Sequence, residues 1–197
     1  MKHINNLNAQ RQVTGLVLAG GKSTRMGRDK ALVLYKEKPL VQHVIDAISP
    51  VCDEVLVSTN NPDIRLQNVE FVSDNYKNIG PIAGIEAGLR KAKNSILLVV
   101  SCDTPLVPTS LFRYMIDCHV GFDVSLAAHN GINEPMIGIY KKEIYSIVNS
   151  AIESGLYKPP VIIKKTKWQD VDIHEGLNFY KPDMFKNFNR PEDLFEN

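Results

Sequence analysis

Short runs rich in β-branched and aliphatic residues alternate with amphipathic helical patterns along most of this chain, and that alternation leaves few architectures open. Strands are expected at residues 15–18, 54–58, 70–72, 95–100, 124–127 and 134–140, the last with a start that Pro135 can delay. Helices are expected between them. Residues 39–48 open with Pro39 at a first helical position and place Leu40, Val44, Ala47 and Ile48 on one face. Residues 81–93 carry a Glu86–Arg90 pair at i, i+4, and residues 108–118 and 141–154 complete the set. The run Leu97-Leu98-Val99-Val100 is apolar on both parities, as a strand covered on both faces must be. Strands alternating with helices imply parallel pairing through right-handed crossovers. The expected fold is α/β: a three-layer α/β/α sandwich, Rossmann-like, with a mostly parallel sheet.

After Gly155 the pattern loosens. The stretch YKPPVIIKKTKWQDVDI reads as a proline turn followed by one or two short strands. The closing FKNFNRPEDLFEN reads as a final helix, with Asn189 as its N-cap and Pro191 just inside. No repeat, low-complexity tract or linker interrupts the chain. Its 197 residues are expected to form a single domain, 1–197, with residues 1–12 a disordered tail.

Composition excludes several classes. A formal net charge of +1 gives no global field for nucleic acid or a membrane surface. Cys52, Cys102 and Cys118 have no CxxC spacing and leave an odd cysteine over, which argues against a disulfide framework or a zinc site and fits a reducing cytoplasm. The N-terminal residues lack the apolar segment of a secretory signal, and no apolar run approaches a membrane span.

Positive charge is instead local. The first strand run ends in Ala19-Gly20-Gly21, and Lys22, Arg25, Arg28 and Lys30 follow. The glycines allow a sharp turn and close approach of backbone N–H groups to an anion. Walker A would need a glycine where Leu16 stands, and a nucleophile elbow would need one at Arg25, so neither a P-loop NTPase nor a serine hydrolase is supported. What remains is a nucleotide loop at the carboxyl end of the first strand, where doubly wound sheets bind ligands. Taken alone, the loop fits a basic surface turn as well.

Two more elements end strands. Asp103, in SCDTPLVP, follows the most apolar strand; it fits a carboxylate that holds Mg²⁺ beside substrate phosphates, and equally an Asp capping a turn before Pro105. Asp74 opens the loop DNYKNIGPIAG, which enters a helix through Gly80, Pro81 and Gly84; by itself this reads most simply as a loop and helix cap, although helix N-termini favour anions. The five histidines, His3, His43, His119, His129 and His174, lack metal-ligand spacing and are expected in surface or packing roles. Lys164, Lys165 and Lys167 read as a solvated strand edge, and Trp168 as core.

Assembled, these residues resemble the molybdenum cofactor guanylyltransferase family along nearly the whole chain. LAGGKSTRMGRDK is similar to that family's opening loop, LAGGxSxRMGxDK, and GPIAG, CDTP, EPMIGIY and a closing FxNxNxPEDL follow in order. Related sugar-phosphate nucleotidyltransferases tend to carry GTR and a later PxTK, so STRMG and Asp29-Lys30 favour the molybdopterin branch; the cytidylyltransferases of the same cofactor usually show LAAG, so Gly20 favours guanine. The resemblance implies GTP contacts from the backbone of Leu18, Ala19 and Gly20 with Gly21 in the same loop, phosphate binding by Lys30, nucleoside contact by Asp74 and Mg²⁺ on Asp103. The family places an Asn near the nucleoside after the second strand; Ser58 and Asn60 both fit that position, and Asn60 is carried into the expected site. The segment before Pro135 varies in the family, which leaves Asn133 and Glu134 outside it.

The implied reaction joins GMP from GTP to the terminal phosphate of molybdopterin and releases pyrophosphate. The acceptor phosphate is the nucleophile, and Arg25, Lys30 and Asp103 are the expected catalytic groups. Implied partners are GTP, molybdopterin, recipient molybdoenzymes and other cofactor-biosynthesis proteins. The rivals are a cytidylyltransferase or other small-molecule nucleotidyltransferase on the same scaffold, and a non-catalytic GTP-binding adaptor that delivers the cofactor.

Overall fold

Hydrophobic alternation on a central sheet decides the architecture. The computed structural model describes residues 12–20 and 29–195, so the expected tail falls almost wholly outside it. In chain order come β1 (Val13–Leu18), a hairpin of β2 (Leu34–Tyr35) and β3 (Lys38–Pro39), α1 (Leu40–Ile48), β4 (Glu54–Ser58), β5 (Glu70–Val72), α2 (Pro81–Lys91) and β6 (Ile96–Ser101). Then follow α3 (Thr109–Cys118), β7 (Val124–His129), β8 (Ile132–Lys141), α4 (Tyr145–Glu153), α5 (Pro159–Ile163) and β9 (Trp168–Asp172). The main sheet has the order β5-β4-β1-β6-β8-β7-β9. All its pairings are parallel except those of β8, which runs against both neighbours.

The sheet separates two apolar layers. Leu98 and Val100 of β6 point into the layer closed by α1 and α3, where Val44, Ile45, Leu111, Phe112 and Met115 are buried. Leu97 and Val99 point into the layer closed by α2, α4 and α5, with Ile85, Leu89, Val148, Ile152 and Ile162. This two-sided burial explains why β6 is apolar on both parities. Each such side chain contributes about 1.5–3 kcal/mol by leaving water. Trp168 packs only partly buried against the second layer, on the edge strand β9.

Three local readings change. Residues 159–163 form a helix rather than a turn, because Pro159 and Pro160 occupy first-turn positions that need no N–H and the turn buries Ile162 and Ile163. The final element is the 3-10 turn Pro191–Leu194, capped by Arg190. The carboxylate of Asp193 accepts the N–H groups of Asn189 and Arg190, both at 2.7 Å, so Asn189 is not the cap.

The third change is a hairpin. β7 and β8 are joined by Asn130-Gly131, with φ of 51° and 75° at the two positions, the left-handed pair of a tight two-residue hairpin turn. Both strands therefore extend two residues further toward each other than expected. Their pairing shifts at Leu126/Ala127: Leu126 faces Gly138, yet Ala127 faces Glu134. Pro135, which has no N–H to donate, lies in the extra β8 segment, and the Tyr140 hydroxyl donates to its carbonyl at 2.5 Å. Burial pushes the Tyr140 phenol far above its ordinary pKa and keeps it a donor. Among the described residues no helix is long and apolar enough to cross a membrane.

Candidate functional site

The carboxyl ends of β1, β4 and β6 lie side by side, with Leu18 in register with Ser58 on one flank and Ser101 on the other. Main-chain bonds carry this alignment past the strand tips: Ala19 N–H donates to Ser58 O at 2.8 Å, and Cys102 N–H to Leu18 O at 3.0 Å. Gly20 and Asp103 each stand two residues beyond a paired register position, so both lie at the same sheet edge. A cleft of about 770 Å³ opens there, lined by residues that include Leu18, Gly20, Ser58, Asn60, Asp74 and Ser101.

Asp74 is held from two directions. Ser58 Oγ donates to its Oδ1 at 2.9 Å, and Asn60 Nδ2 to its Oδ2 at 3.1 Å. Ser58 and Asn60 both line the cleft and both hold the same carboxylate. Asp74 does not cap α2. The cap is Gly80, which has no side-chain bond, and no acidic residue occupies the first helical turn. Gly80, Pro81, Ala83 and Gly84 instead turn the N-terminus of α2 toward the cleft, where its unpaired N–H groups and partial positive charge suit a polar or anionic ligand. Gly84 is required by close approach: a Cβ there would lie 2.7 Å from both Leu18 Cδ2 and Ser58 Oγ.

On the other side of the strand tips, Lys30 Nζ lies 2.7 Å from Asp103 Oδ2 and 2.6 Å from Asn189 Oδ1. Lys30 opens a short 3-10 turn capped by Asp29, whose Oδ1 accepts the Ala31 N–H and whose Oδ2 accepts from Asn61 Nδ2. The carbonyl of Asp103 accepts the N–H of Phe188 at 2.8 Å. Asp103 does not cap its own turn; the Thr104 hydroxyl does so by donating to Ser101 O. Asp103 Oδ1 is buried and has no hydrogen-bond partner among the described residues. A buried carboxylate oxygen without a donor is a natural ligand for a hard cation, which favours oxygen ligands. No group of three or more His, Cys, Asp or Glu is gathered for a metal among the described residues, so an ion there would complete its shell with substrate oxygens and water.

Cys102, adjacent to Asp103, is not a nucleophile. Burial, with a smaller effect from Asp103, pushes its thiol up to about 12, so it stays protonated at neutral pH.

The structure therefore gathers Leu18, Gly20, Asn60 and Asp74 in the cleft and pairs Lys30 with Asp103 beyond the neighbouring strand tips. Ala19 is buried and serves the strand alignment through its backbone. Gly21 and Arg25 lie outside the described residues. Sequence reasoning missed Lys77, Asn78 and Met136, which also line the cleft; the first two sit in the loop singled out after Asp74. Met136 lies in the EPMIGIY segment, but nothing local in the sequence shows which way β8 turns it.

Comparisons with known proteins agree with this geometry. The model of the MobA-like NTP transferase domain matches residues 15–166. The chain is 33% identical over 183 residues to a probable molybdenum cofactor guanylyltransferase of Flavobacterium johnsoniae, covering 92% of this chain and 94% of that one. It is 32% identical over 187 residues to the molybdenum cofactor guanylyltransferase of Vibrio parahaemolyticus, covering 93% of each. The crystal structure of molybdopterin-guanine dinucleotide biosynthesis protein A from Archaeoglobus fulgidus superposes with a TM-score of 0.78 at 26% identity, covering 92% of this chain and 94% of that one. A mostly parallel sheet with a glycine-bearing first strand tip, a carboxylate beyond the β6 tip and homology along nine-tenths of the chain have one common explanation: this protein belongs to the MobA-like NTP transferase family and is a nucleotidyltransferase.

Proposed function

We propose that the protein transfers GMP from GTP to the terminal phosphate of molybdopterin, forming molybdopterin guanine dinucleotide and releasing pyrophosphate. One observation carries this reading: the Asp74 cleft and the Lys30–Asp103 pair flank the same strand tips, so a nucleoside in the first presents its phosphates to the second. The relatives' names supply the choice of guanine and of the acceptor.

In this reading Asp74, oriented by Ser58 and Asn60, binds the nucleoside. The N-terminus of α2 borders the same cleft. Lys30 stands against the phosphates, where its ammonium offsets charge that grows on the leaving pyrophosphate. An oxygen of the acceptor phosphate bonds to the α-phosphorus as the bond from that phosphorus to pyrophosphate breaks. No protein nucleophile enters, in keeping with a protonated Cys102. Catalysis is then alignment plus charge stabilisation. Asp103 fits Mg²⁺, which usually takes one or two carboxylates with phosphates and water. When bound, such an ion would screen the phosphate oxygens. Arg25 would add a second cation on the pyrophosphate side.

Pyrophosphate release with molybdopterin as acceptor, compared across GTP, CTP and UTP with and without Mg²⁺, tests the reading. Release with GTP in preference to the others is expected. Preference for CTP would make the protein a cytidylyltransferase, and GTP binding with no release would make it an adaptor.

A further inference from the structure

The irregularity in β8 creates a second polar site at the same sheet edge, on strands that the nucleotide cleft barely uses. Glu134 pairs across to Ala127, and His129 lies two residues beyond Ala127 on the same face of β7. The His129 ring stacks on Phe185, with centroids 4.2 Å apart and planes within 4°. Its Nε2 stands 3.4 Å from Glu134 Oε1. Phe185 is buried and anchors the ring from below. The two polar side chains keep 23% and 25% of their exposure, enough to meet a ligand.

Position along the chain brackets this site. Glu134 is two residues from Met136, a wall of the nucleotide cleft, and Phe185 is three residues from Phe188, whose N–H bonds the Asp103 carbonyl. Extended chain spans about 3.5 Å per residue, so the Glu134 backbone lies within about 7 Å of one landmark and that of Phe185 within about 11 Å of the other. The faces differ as well. Met136 packs with the layer of α2 and α4, whereas Ala127 and Phe185 belong to the layer of α1 and α3. A donor nucleoside on the first side of the sheet edge leaves the second side for the acceptor.

Resting on the acceptor proposed above, we infer that Glu134 binds the ring of that acceptor. A pterin carries an exocyclic amino group beside a ring N–H, two parallel donors on one edge. An ionised carboxylate is their complement, accepting both in a charge-assisted pair. His129 is a positioning residue: a nitrogen that reaches one carboxylate oxygen, on a ring immobilised by Phe185, sets the direction of the other. The histidine is thereby assigned a ligand-orienting role beyond packing, and Glu134 enters the site from which the sequence reading had left it.

Steady-state kinetics with GTP and molybdopterin varied separately tests this. Glu134→Gln keeps the shape but opposes an amide NH₂ to a ring donor. It is expected to raise KM for molybdopterin about ten- to a hundredfold, with KM for GTP unchanged. His129→Ala should raise the same KM by a smaller factor, about three- to tenfold, and add less than about twofold in the Glu134→Gln background, because it acts through that carboxylate. An unchanged KM for molybdopterin in Glu134→Gln overturns the assignment, as does a parallel rise in KM for GTP, which marks general damage. Fully additive losses overturn the role of His129. A wild-type protein that releases no pyrophosphate with molybdopterin defeats the underlying function and this site with it; wild-type turnover with an indifferent Glu134→Gln defeats this site alone.

Discussion

Lys30 Nζ lies 2.7 Å from Asp103 Oδ2, joining two residues 73 positions apart at the tips of the sheet. Only about a sixth of the Lys30 side chain and a fifth of that of Asp103 remain exposed. The pair holds a cation and a carboxylate together at the strand tips, and among the described residues the other carboxylate oxygen has no hydrogen-bond partner.

Removing either member is expected to stop chemistry before it disturbs the fold. Asp103→Ala and Lys30→Met should each lower GMP transfer by about 10²–10³, the usual effect of losing one preorganised charge. Pyrophosphate release measures the rate, and circular dichroism checks that the variants remain folded. A folded Asp103→Ala protein with near-normal turnover would remove that residue from the reaction.

Asp74 should act on binding more than on rate. Asp74→Asn is expected to raise KM for GTP at least about tenfold, since a charged hydrogen-bond acceptor is lost. Ser58→Ala should have a weaker effect in the same direction, because Asn60 still holds the other carboxylate oxygen. Direct GTP titration distinguishes these outcomes, and an Asp74→Asn protein that binds GTP normally would place the nucleoside elsewhere.

Gly84 sets how closely α2 approaches β1 and β4. In Gly84→Ala the new methyl would meet Leu18 Cδ2 and Ser58 Oγ at 2.7 Å. Overpacking of this kind costs about 1–3 kcal/mol. Thermal unfolding should show a lower Tm, and KM for GTP should rise because Ser58 is displaced from Asp74. A Tm equal to that of the wild type would mean that α2 is free to move away from the sheet.

Acid sensitivity should trace in part to Glu54, far from the cleft at the start of β4. Desolvation alone would raise its pKa, but hydrogen bonds from the Thr14 hydroxyl, the Lys93 N–H and the Lys93 ammonium outweigh it, and the folded value lies below the ordinary 4.5. A depressed folded pKa means that ionised Glu54 stabilises the protein above about pH 4.5, and that this contribution disappears as pH falls through the lower folded value. Chemical denaturation from about pH 5 to pH 3 should therefore show stability falling less steeply in Glu54→Gln than in the wild type. Identical slopes would exclude Glu54 as a source of acid lability.

Much of the fold was legible in the sequence because the sheet is buried on both faces. Two-sided burial demands apolar residues from Ile96 to Val100 of β6, and helices that cover such strands must show a three-and-four spacing; both patterns are local. The strand-tip residues Gly20, Asp74 and Asp103 were legible too, because a glycine or carboxylate directly after a strand lands at the one edge where such sheets bind ligands. The Asn130-Gly131 pair is a strong local hairpin signal, and the strands expected at 124–127 and 134–140 each stop two residues short of it.

What sequence alone could not decide were the partners of these residues. That Asp103 pairs with Lys30 and leaves the turn bond to Thr104 depends on the fold, which brings Lys30 to it. Whether Ser58 or Asn60 mattered depended on the direction of Asp74, reached by both only because β4 and β5 pair in one register. Met136 and Glu134 owe their positions to the extra residues in β8, and His129 owes its stacking to a segment arriving 56 residues later, at Phe185. Secondary structure follows from neighbours in the chain, whereas a site follows from which side chains desolvate one another, and that is settled only when distant segments pack.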